Sequence, residues 1–124
     1  MELLYRNEVY AIVGAAIEVH RQLHSHYLEA VHQEAMEIEL ADRGIPFIPQ
    51  APISIFYQGR ELRKKYVADF LCYEKIIVEI KVMERLTSKE QAQVLNYAHA
   101  TGHRLGVLIN FGDPGRLDWQ RLVV

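Results

Sequence analysis

The strongest constraint on this chain is a strand-like run with two charges inside it. Lys75-Ile76-Ile77-Val78-Glu79-Ile80-Lys81-Val82 is mostly apolar and β-branched. Side chains alternate faces along a strand. Ile76, Val78, Ile80 and Val82 therefore share one face, and Ile77, Glu79 and Lys81 share the other. Burying those charges without partners would cost on the order of several kcal/mol each, so the fold must supply partners.

A second run, Tyr66-Val67-Ala68-Asp69-Phe70-Leu71, places one more carboxylate in an apolar strand. If the two runs form a hairpin centred near Glu74, Asp69 lies opposite Glu79 on one face, with Cβ atoms about 4.5–5.5 Å apart. Two carboxylates that close repel, and one takes up a proton unless a cation sits between them. A hard divalent cation resolves this, because Mg²⁺ typically takes one or two carboxylates plus waters. A two-residue turn at Glu74-Lys75 would instead pair Asp69 with Ile80 and separate the carboxylates. An odd-numbered loop is therefore expected. The competing arrangement is a half-exposed hairpin with solvated charges.

Periodicity orders the rest. Val9, Val13, Ala16, His20 and Leu23 recur at helical steps and predict a helix over 6–23. Leu28, Val31, Ala35 and Ile38 restart the pattern, and Gly44 and Pro46 end it. Ile53–Tyr57 reads as a strand before a Gln58-Gly59 turn. Leu62–Tyr73 and Lys75–Met83 are further extended runs. Thr87 and Glu90 make a capping box for a third helix that stops at Gly102. Leu105–Phe111 has the continuous apolar character of a buried strand. Gly112-Asp113-Pro114-Gly115 is a turn, and Arg121–Val124 a short edge strand. The order α-α-β-β-β-α-β-β, with a helical crossover between parallel neighbours, implies a mixed α/β sheet flanked by helices.

Length and charge narrow the function. At 124 residues, half of them hydrophobic, the chain fits one domain over 1–124. No apolar run reaches the roughly 18–20 residues of a membrane span. Met1-Glu2-Leu3-Leu4-Tyr5-Arg6 lacks the pattern of a secretory leader. A cytoplasmic location is the default expectation. Cys72 is the lone cysteine, which excludes an intramolecular disulfide and a Cys-rich zinc site. The net charge of −2 means that any nucleic acid must be held by a local basic patch, a bound cation or a partner. Arg60, Arg63, Lys64 and Lys65 are the best such patch; alternatively they charge a strand edge against aggregation. His20 and His24 can share a helix face, but Arg21 stands where a zinc-protease motif needs Glu.

Val67-Ala68-Asp69-Phe70-Leu71 followed by Val78-Glu79-Ile80-Lys81 resembles the signature of the PD-(D/E)XK nuclease superfamily. Within it the chain is similar to the small bacterial GxxExxY group. The likeness extends through Gly14–Leu23, Arg43–Phe47, Ala92–Tyr97, Thr101-Gly102 and Leu105–Gly112. It departs from the group at its naming motif: Glu29 is kept, but His26 and His32 replace the Gly and Tyr.

The resemblance implies a restriction-endonuclease-like fold and metal-dependent hydrolysis of nucleic-acid phosphodiesters. It implies Mg²⁺ or Mn²⁺ held by Asp69, Glu79 and the Ile80 carbonyl. Lys81 would orient or help deprotonate the attacking water. Glu29 would complete the shell, directly or through water. Gln93 matches a polar residue that faces such sites, and Tyr97 lies one helical turn further on. Tyr97, Arg63, Lys64 and Lys65 are the expected substrate contacts. The expected substrate is DNA ahead of RNA. A homodimer would supply the two sites that duplex cleavage needs. The alternative is a nuclease scaffold that binds nucleic acid or protein without cutting.

Overall fold

A computed structural model describes residues 3–124; Met1 and Glu2 of the N-terminal stretch read above lie outside the described residues. Two helices come first, α1 (Arg6–Leu23) and α2 (Glu29–Asp42). Strand β1 (Phe47–Ile53) and a small hairpin, β2 (Phe56–Tyr57) and β3 (Arg60–Glu61), follow. Then come β4 (Tyr66–Cys72), β5 (Ile76–Lys81), α3 (Ser88–Thr101), β6 (Leu105–Asn110) and β7 (Asp118–Val123). Apart from the small hairpin, the order is the expected one. The main sheet runs β1-β4-β5-β6-β7. The β5–β6 pair is parallel and the others antiparallel, giving a mixed sheet.

Helix α1 buries the expected stripe of Val9, Val13, Ala16 and His20. Helix α2 does not bury its expected face. Leu28 and Ile38 are 78% and 58% exposed, and the inward residues are His32, Met36 and Leu40. The polar residue is accommodated because its ring stacks on an aromatic partner and its N–H has a carbonyl acceptor. His32 stacks on Phe111 at 4.7 Å, and its ring nitrogens stand 3.3 and 3.2 Å from the carbonyls of Leu28 and His24.

The strand expected over Ile53–Tyr57 is divided. The sheet strand begins at Phe47 and tolerates Pro49 and Pro52 because β1 is an edge strand with one partner. Phe56 and Tyr57 turn back on Arg60 and Glu61 through Gln58 and Gly59. Both turn residues have positive φ, as a two-residue hairpin turn requires. Leu62–Lys65 is a connector rather than strand, and β7 starts at Asp118, earlier than expected.

The Thr87–Glu90 capping box is present, and Gly102 (φ 74) ends α3. Helix α3 lies so close to β6 that a Cβ on Gly106 would stand 2.2 Å from Val94 Cγ1. Two clusters cover the sheet. Phe70, Cys72, Ile76, Val78 and Ile80 pack with α1 and α2 residues such as Ile12 and Met36. Ala51, Ile53, Ala68 and Ile77 pack with Tyr97 and Ala98 of α3. Each fully buried Ile or Phe contributes roughly 1.5–3 kcal/mol.

Candidate metal centre

The β4–β5 hairpin has the expected odd loop. Phe70 pairs with Val78, Leu71 with Ile77 and Cys72 with Ile76. Tyr73, Glu74 and Lys75 form the loop, with Tyr73 and Glu74 at φ 55 and 59. One register step further sets Asp69 opposite Glu79. There the main-chain ladder gives way to side chains. The Asp69 N–H donates to Glu79 Oε2 at 2.5 Å, and the Ile80 N–H donates to Asp69 Oδ2 at 2.8 Å.

Strand alternation also breaks at Asp69. Phe70 and Cys72 belong to the cluster under α1, whereas Ala68 belongs to the cluster under α3. The neighbouring strand kinks at the same level. Gln50, opposite Asp69 in the β1–β4 register, adopts φ 47, a left-handed conformation unusual for a residue other than glycine. Local strain of this kind clusters at functional sites.

The electrostatics follow from burial. Glu79 is 3% exposed. Burial and then the Asp69 charge push its carboxyl up to about 8, against the opposing Asp69 N–H and Lys81. Burial also raises Asp69, opposed by the Ile80 N–H, Lys81, and hydrogen bonds from Glu79 and Gln50. Two such carboxyls share a proton when no cation neutralises them.

The donor set fits a hard divalent cation. Each carboxylate accepts a main-chain N–H of the opposite strand through one oxygen. The N–H and C=O of a strand residue point to the same edge, so the Ile80 carbonyl, like its N–H, points towards Asp69. Lys81 faces the other way, its carbonyl accepting from the Phe111 N–H at 2.8 Å. Among the described residues, no group of three or more His, Cys, Asp or Glu side chains is arranged to hold a metal ion. Two carboxylates, a carbonyl and waters would suit a hard divalent cation.

Glu29 is not grouped with the pair in such a cluster. It stands exposed on the first residue of α2. Burial of its carboxyl and the Asp69 charge raise its pKa, while Lys81 lowers it. The Asp69 and Lys81 charges thus reach its carboxyl. Lys81 is partly buried and lowers the pKa values of all three carboxyls.

Gln93 donates to the Tyr97 hydroxyl at 3.1 Å. Burial and then the Glu79 charge raise the Tyr97 phenol, and its ring lies 4.9 Å from that of Tyr66. Tyr97 thus feels both carboxylates from α3, and Gln93 is tied to it. Arg63, Lys64 and Lys65 are exposed on the connector into β4. Lys65 is already paired with Glu61 at 2.5 Å. Among the described residues, Arg63 and Lys64 make no ion pair.

His20 and His24 lie at a separate groove. His20 Nε2 lies 2.7 Å from the Asp113 carbonyl, at a groove of about 910 Å³ that also includes Arg116 and Trp119. That groove contains none of the carboxylate-site residues.

Two site residues escape a sequence reading. Gln50 carries no charge and lies between two prolines, so only its backbone angle and register reveal it. Gln33 donates to the Asp69 carbonyl at 3.2 Å. Its spacing of four from Glu29 on one helix face was the available signal.

The model of a family described as the PD-(D/E)XK nuclease superfamily matches residues 6–122. No curated protein and no solved structure matches the chain.

Proposed function

The chain belongs to the PD-(D/E)XK nuclease superfamily, and from that premise we propose that it is a divalent-metal-dependent nuclease cutting phosphodiester bonds. The observation that carries this reading is the convergence of Asp69 and Glu79 where the hairpin ladder opens, with Lys81 two residues on. Asp69, Glu79 and the Ile80 carbonyl would hold Mg²⁺ or Mn²⁺. A bound ion of this kind lowers the pKa of a water and polarises a phosphoryl oxygen.

The protein's own groups do the rest. Lys81 offsets phosphate charge and orients the attacking water. Glu29 accepts a hydrogen bond from a water in the shell. Gln93 and Tyr97 border the reacting group. Arg63 and Lys64, with Lys65 released from Glu61, meet backbone phosphates, which position a nucleic acid without reading its sequence. We extend the reading to the GxxExxY group, one domain over residues 1–124, DNA ahead of RNA, a homodimer for duplex cleavage and a cytoplasmic location. No helix among the described residues is long and apolar enough to cross a membrane.

A panel of single- and double-stranded DNA and RNA with Mg²⁺ or Mn²⁺ tests the activity. Cleavage should need the metal and disappear in Lys81→Ala. The net charge of −2 favours a second reading, a non-catalytic binding module. Binding without cleavage across that panel would support it.

A further inference from the structure

Asp69 sits in a strand, yet its main-chain N–H and C=O both meet side chains. Its N–H donates to Glu79 Oε2, and its carbonyl accepts from Gln33 Nε2 at 3.2 Å. Gln33 lies on α2, one turn after Glu29. Its amide nitrogen also donates to Glu37 Oε2 at 3.2 Å. Both amide hydrogens are thereby used. This fixes the amide's orientation, since a flip would set its oxygen against two acceptors. Gln33 Oε1 is then buried and, among the described residues, meets no donor. A buried carbonyl of this kind calls for a water or a ligand.

We propose that Gln33 is a positioning residue for the metal centre. It holds the Asp69 peptide out of the sheet ladder, so that the Asp69 carboxylate stays beside Glu79. Its free Oε1 receives a water of the site. The proposal rests on the metal-binding reading above. Groups that orient metal ligands typically change metal affinity by about 10- to 100-fold when removed. Gln33 reaches the ligand through its backbone, the part that a carboxylate substitution leaves untouched.

The test compares Gln33→Met with Glu37→Ala in the full chain. Gln33→Met keeps length but removes the contact, and Gln33→Ala serves if it does not fold. Glu37→Ala removes the other partner of the same amide. Two quantities are read: Mn²⁺ affinity by calorimetry, and hydrogen exchange at the Asp69 and Ile80 amides without metal. Gln33→Met should weaken Mn²⁺ binding about 10- to 100-fold. It should also speed exchange at both amides beyond any change in global stability, and Glu37→Ala should do neither. Unchanged exchange in Gln33→Met, or an equal effect of Glu37→Ala, overturns the proposal. If the wild-type chain takes up no Mn²⁺, the metal reading fails separately, and the exchange rates still decide the role of Gln33.

Discussion

The main-chain N–H of Asp69 donates to the Glu79 carboxylate at 2.5 Å, one residue beyond the last regular pair of the β4–β5 ladder, Phe70 with Val78. The Ile80 N–H returns the exchange to Asp69 Oδ2. Each acid is thus held by the other's strand. The acids converge because the hairpin is built to open at their level.

The first prediction concerns pH. The Glu79 pKa is raised on folding from its ordinary 4.5 to about 8. A raised pKa means that the folded protein binds the proton more tightly than the unfolded chain does. The associated stabilisation is complete below 4.5 and is lost as pH rises through about 8. Metal-free protein should therefore melt at progressively lower temperature across that window. Glu79→Gln should flatten the dependence. A divalent cation bound near neutral pH should release protons, measurable as buffer-dependent heat.

A second prediction concerns the seat of α3. Gly106→Ala forces a Cβ against Val94, and overpacking of this kind costs about 1–3 kcal/mol. Chemical denaturation should show that loss. Adding Val94→Ala should recover part of it, because the two changes share one contact and will not add.

Cys72 provides a third. Burial pushes its thiol up to about 12, and the side chain is fully enclosed. The reactive species is the thiolate. Native protein should ignore a thiol reagent, with labelling appearing only as denaturant unfolds the chain. Rapid native labelling would show that the core under α1 opens.

The hairpin was legible because the β4–β5 register is regular from Phe70 and Val78 to the loop. Once Glu79 and Asp69 were required to share a face, the loop around Glu74 had to be odd. The start of α3 was legible for a similar reason, since Thr87 and Glu90 act locally. The face of α2 was not legible. Its pattern of apolar residues pointed to Leu28 and Ile38, while the buried residue is His32, whose ring lies between the nearby Leu28 and His24 carbonyls and stacks on Phe111, far along the chain. Gln33 and Gln50 were hidden for the same reason. Each acts on Asp69 through a contact that arises only when α2 and β1 pack beside β4.

The central claim is that Asp69 and Glu79 together hold a divalent cation. Calorimetric titration of the metal-free chain with Mn²⁺ tests it most directly. A single saturable site is expected, abolished by Glu79→Gln and Asp69→Asn and retained in Lys81→Ala, whose ammonium is not a ligand. No saturable uptake by the wild-type chain, or undiminished uptake by Glu79→Gln, would contradict it.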